Sequence, residues 1–126
     1  MVPKFRAWDK GLEFMMPVES IDFEYGMINV NAAWRTFEEI ELMQSTGLKD
    51  KNGVEIFEGD IVVNQYGIVG YVAYLQQEAG FVVVLKKSDY RLGHRNTGES
   101  YDVTTNHEVI GNIHSNPELL DKSNEN

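Results

Sequence analysis

The chain has 126 residues, a net charge of −9 from twenty acidic and eleven basic side chains, and no cysteine. This length holds one domain or two very small ones, and a hydrophobic content of 42% is enough for a packed core without staples. The missing cysteine excludes disulfides, iron–sulfur clusters, cysteine zinc sites and thiol nucleophiles together, and fits a reducing cytoplasm.

The first six residues carry no apolar run, so no signal peptide is expected. Short apolar runs then recur at roughly eight to twelve residues, the punctuation of a β protein. Residues 4–8 and 12–16 read as strands around Asp9-Lys10-Gly11, with Gly11 supplying a positive φ. Residues 18–24 read as a strand with Ile21 and Phe23 on one face and Asp22 and Glu24 on the other. Tyr25-Gly26 turns it into a strand over 27–30. Residues 32–44 are ambiguous. Trp34, Phe37, Ile40 and Gln44 share a helical face, while Thr36, Phe37, Ile40 and Leu42 suit a strand. No cap for a helix stands out, so the reading adopted is a strand from Thr36, followed by a turn.

Asp50-Lys51-Asn52-Gly53 is the clearest turn, since Asn-Gly accepts left-handed backbone and the Asp50 carboxylate can cap it. Gly47 and Gly53 are expected to supply backbone turns, and Gly59-Asp60 a sharp entry into the next strand. Strands follow over 61–63, 68–75 and 81–85. The uncharged stretch 61–77 contains Asn64, Gln65, Gln76 and two glycines, short of the ~20 apolar residues that a membrane span needs. Residues 91–100 read as a loop, and 101–104 and 109–113 as closing strands. Asn116-Pro117-Glu118-Leu119-Leu120 reads as a helical turn capped by Asn116, ahead of a polar tail over 121–126.

Five short strands between residues 60 and 113 suit a small barrel, because closure removes exposed edges. The fold expected is mainly β with little helix: an N-terminal β lobe over 1–46, an SH3-like barrel over 47–120 and a flexible tail over 121–126. A 46-residue lobe is too small to bury Phe5, Trp8, Phe14, Trp34 and Phe37 alone. They are expected to pack against the barrel or another subunit.

Three pieces of the chain carry a resemblance. The central one is Leu42-Met43-Gln44-Ser45-Thr46-Gly47-Leu48-Lys49-Asp50-Lys51-Asn52-Gly53 with Glu55-Ile56-Phe57-Glu58-Gly59-Asp60-Ile61-Val62. The others are Lys4-Phe5-Arg6-Ala7-Trp8-Asp9 near the start, and Glu108-Val109-Ile110-Gly111-Asn112-Ile113-His114 with Asn116-Pro117-Glu118-Leu119 near the end. In this order they resemble the YopX family of phage and prophage proteins. The resemblance implies a mostly β protein with an SH3-like barrel, encoded by a phage or prophage and working in the cytoplasm of a bacterial host. It brings no established activity and no catalytic residue, and residues 64–107 carry none of its motifs.

Residue chemistry offers few sites. Asp50-x-Asn52-Gly53 fails as a calcium loop, because Leu48 and Gly59 would stand where carboxylates are required. His94, His107 and His114 match no compact zinc spacing. Asp102 or Glu108 would be needed to complete a site, and a His/carboxylate hydrolase would need these groups in one cleft. Glu38, Glu39 and Glu41, and Glu55, Glu58 and Asp60, read as solvated faces rather than acid–base pairs. Gly67-Ile68-Val69-Gly70 lies in an apolar β run without basic residues, which excludes a KH-type loop. No cofactor motif, phosphate loop or nucleophile elbow occurs.

Charge is unevenly spread. Residues 11–47 hold seven acids and one base, Arg35, which permits an acidic DNA-mimic surface. Residues 86–95 hold four bases and one acid. Lys86, Lys87, Tyr90, Arg91, His94 and Arg95 form the candidate binding patch, suited to an acidic lobe of a neighbouring subunit or to nucleic acid. The expectation is a non-enzymatic accessory or interaction protein that self-associates into a homo-oligomer, with a host or phage protein as possible partner and no membrane or cofactor. The alternative is a nucleic-acid-binding barrel acting through 86–95.

Overall fold

The computed structural model describes residues 4–30, 33–85, 100–103 and 106–120. The chain divides into two compact units, Met1–Ser45 and Thr46–Asn126. It is mainly β.

In the first unit β1 (Phe5–Asp9) pairs antiparallel with β2 (Phe14–Pro17) on one side and with the first half of β6 (Ile40–Lys49) on the other. A second sheet has the order β3 (Ser20–Asp22), β4 (Met27–Val30), β5 (Ala33–Thr36), all antiparallel. The inward residues Ala7, Met16, Ile28, Val30 and Ile40 form the core, with Val18, Ile21, Ala33 and Leu42 against it. Alternation sends Ser20, Asn29 and Trp34, which are paired across the three strands, to the outer face.

Four local readings change here. Gly11 is not the left-handed residue of the first turn; Glu13 is, at φ 61°. Asp9 Oδ1 instead accepts the Gly11 and Leu12 N–H groups at 3.0 and 2.9 Å, so a side chain closes the turn. The strand expected over 18–24 ends at Asp22, and Phe23 stands in the following turn, 75% exposed. Residues 33–49 are a strand, one 3₁₀ turn over Phe37–Glu39, and a further long strand. The short helix is capped after all: Glu39 Oε1 accepts the Thr36 N–H at 2.9 Å. The chain also stays extended through Lys49 where a turn was expected after 44, with Gly47 at φ 83° inside the strand.

The second unit holds β7 (Glu55–Phe57), next to β6 in sheet order, and a five-stranded antiparallel sheet. Its order is β11 (Ser100–Asp102), β10 (Gly80–Val84), β9 (Val69–Leu75), β8 (Asp60–Val63), β12 (Glu108–Asn112). Four strands meander and the last returns to the first, giving a curled half-barrel. Ile56, Val62, Val72, Val83 and Val103 form its core. The curl brings strands close at Gly70: a Cβ there would lie 2.6 Å from both Val83 Cγ1 and the Val84 carbonyl oxygen. Gly59, at φ 91°, donates to Val72 O and accepts from Ile113 N, which fixes the entry to β8. The register of β12 shifts between Val109 and Gly111. Gly111 leaves room for Asn116, whose Oδ1 accepts the Asn112 N–H at 3.2 Å. The Asn116 side chain thus braces this irregularity instead of capping its own helical turn.

Candidate functional site

Three carboxylates that the sequence places in polar surroundings are buried. Asp9 and Asp50 are 4% and 5% exposed, and Asp60 2%. Each is occupied by the backbone or by Arg35. Besides its two turn N–H groups, Asp9 accepts Arg35 Nε on Oδ2 at 2.9 Å. The Leu12 N–H foremost, then the Arg35 guanidinium, hold the Asp9 carboxyl below its ordinary pKa against the cost of burial. Asp50 Oδ1 accepts the Asn52 and Val54 N–H groups, both at 2.8 Å, and Oδ2 accepts the Val109 N–H at 2.9 Å. Burial pushes this carboxyl up, but the three N–H groups and the Lys51 charge outweigh it and lower the pKa. Asp60 Oδ2 accepts the Phe57 N–H at 2.7 Å. It corrects the reading of Glu55, Glu58 and Asp60 as one solvated face. These carboxylates hold turns and strands in place.

The histidines are not assembled into a cleft among the described residues. His107 is buried, and its carbonyl accepts the Lys51 N–H at 3.0 Å. His114 is half-buried in the turn after β12, where its N–H donates to Asn112 Oδ1. His94 lies outside the described residues. No group of three or more His, Asp or Glu among the described residues is arranged to hold a metal ion. The candidate patch of Lys86, Lys87, Tyr90, Arg91, His94 and Arg95 also lies outside the described residues.

One described feature whose rings the backbone turns do not require is an aromatic tip on the first unit. Asp22 Oδ1 accepts the Glu24 and Tyr25 N–H groups at 3.0 and 3.1 Å, and Gly26 takes φ 65°. This closes the β3–β4 turn and displays Phe23 and Tyr25, 75% and 73% exposed. Phe37 lies beneath: its N–H donates to Gly26 O at 2.8 Å, and its ring meets Phe23 edge to face at 6.2 Å. The exposed carboxylates of Glu24 and Glu38 make no ion pair among the described residues. Lys10 is engaged with Glu41 at 3.4 Å and with the Glu38 carbonyl at 3.2 Å. Sequence reading missed this tip because alternation placed Phe23 inside a strand; the signal available was Asp22 followed by Gly26, a turn closed at both ends.

No helix among the described residues is long and apolar enough to cross a membrane. None of the curated proteins matches the chain. The crystal structure of protein EF1440 from Enterococcus faecalis is similar to it, at 32% identity and a TM-score of 0.62, over 95% of this chain and 99% of that one. The family model described as YopX protein matches residues 4–121, a span that holds Asp9, the Asp50 turn, Gly59-Asp60 and the Gly111–Asn116 brace. These turn and strand-closing residues stand in the three pieces of the sequence that carry the resemblance, and the chain belongs to the YopX protein family.

Proposed function

We propose that this chain is a non-enzymatic accessory protein that works by assembling with copies of itself, encoded by a phage or prophage and acting in the bacterial cytoplasm. One observation carries the assembly reading. The first unit keeps Leu12, Phe14, Phe23, Tyr25, Trp34 and Phe37 more than a third exposed, six large apolar side chains against a core cluster of five. Large apolar side chains exposed in this number beside so small a core are more often covered by a partner than left wet. We read the second unit as an SH3-like barrel, on the support of a five-stranded sheet whose last strand returns beside its first. The test is the mass in solution by light scattering at micromolar concentration. A mass well above 14.4 kDa supports the reading, and 14.4 kDa at both low and high salt ends it. A shift of single- or double-stranded nucleic acid at low salt would move the reading to the basic stretch 86–95.

A further inference from the structure

We propose that the aromatic tip of Phe23, Tyr25 and Phe37 is the surface on which a second copy of this chain docks, through its cationic stretch 86–95. The proposal rests on the self-association reading and names its site. Nothing in the turn requires rings at 23 and 25. Asp22 and Gly26 close it through backbone geometry alone, and polar residues would serve as well there. Yet both rings face solvent from a fixed backbone, and Phe37 supports one of them from below. Fixed, displayed aromatic residues are the usual anchors of an interface, since little entropy is lost when they are covered.

The chemistry around the rings selects the occupant. Glu24 and Glu38 present carboxylates with no ion pair among the described residues. Aromatic faces beside free carboxylates suit guanidinium and ammonium groups, which stack on the ring and pair with the acid together. The chain contains such an occupant. Lys86, Lys87, Arg91 and Arg95 stand within ten residues against Asp89 alone, whereas 11–47 holds seven acids and one base. Tip and cationic stretch are different segments of the chain, so each copy offers one of each to its neighbours.

The test compares the full-length chain with two double variants, Glu24→Lys/Glu38→Lys at the tip and Lys87→Glu/Arg91→Glu in the stretch, together with Phe23→Ser/Tyr25→Ser. Light scattering reads the mass, and circular dichroism checks that each variant melts as the wild type does. The expected result is an assembled wild type, three variants at 14.4 kDa, and recovery of the assembled mass when the two charge-reversed variants are mixed. If the wild type assembles while the tip variants keep its full mass, or if the mixture stays at 14.4 kDa, the tip is not the site although self-association stands. If the wild type itself is monomeric, both readings fall.

Discussion

Arg35 Nε donates to Asp9 Oδ2 at 2.9 Å, joining β5 of one sheet to β1 of the other. Arg35 is the only base among residues 11–47, and it faces inward because it shares a side of its strand with Ala33. Its side chain is 28% exposed and that of Asp9 5%. This pair is therefore shielded from solvent, unlike Lys10–Glu41, whose side chains are both about half exposed.

Removing the guanidinium should cost clearly more stability than removing an exposed ammonium. Arg35→Met is expected to lower the urea midpoint, while Lys10→Ala stays within about 0.5 kcal/mol of wild type. Arg35→Lys should rescue only part of the loss, because an ammonium does not reproduce the Nε geometry or the Nη1 bond to Trp34 O. Equal midpoints for Arg35→Met and Lys10→Ala would contradict the role.

Asp9 and Asp50 both have folded pKa values below the ordinary aspartate value. A depressed carboxyl contributes stability that is complete above the unfolded pKa near about 4 and is lost as pH falls through the folded values. Urea midpoints should be level between about pH 5 and 7 as far as these groups are concerned, and decline below about pH 4. Asp9→Asn and Asp50→Asn should each start from a lower midpoint and show a shallower acid decline. An unchanged acid slope in both would count against this assignment.

Asp50 ties its own turn to β12 through Val109, fifty-nine residues away. Asp50→Ala leaves three part-buried N–H groups without their acceptor, a loss of about 1–3 kcal/mol in urea unfolding. Asp50→Glu should not restore it, since one added methylene moves both oxygens off three donors at 2.8–2.9 Å. Hydrogen exchange should quicken at the Val54 and Val109 amides in either variant.

Gly70→Ala should destabilise by about 1–3 kcal/mol through overpacking against Val83 and the β10 backbone. Gly70→Val should cost more. Calorimetric melting of the two variants gives the order, and a Gly70→Ala protein as stable as wild type would mean that the strands separate without penalty.

Glu39→Ala removes the acceptor for the Thr36 N–H, at about 0.5–1.5 kcal/mol, and Glu39→Gln should retain most of it. Chemical denaturation of the pair separates this cap from the acidity of its neighbours.

Features that depend on near neighbours are legible in the chain. It held the β character, the Asp50 cap on Asn52-Gly53, the turn at Gly26 and the entry at Gly59-Asp60, because turn chemistry is local and requires particular residues. It also held the family, in the same turn residues. Which polar groups are buried and which aromatic rings are not emerges from the packing alone. Asp9 is inside because Arg35 meets it from twenty-six residues away, and Asn116 turns from its own helical turn because Gly111 leaves space for it. Phe23 stands outside because Asp22 closes a turn where alternation would have continued a strand. Burial is a property of pairs distant in the chain, and periodicity within a segment cannot assign the partner.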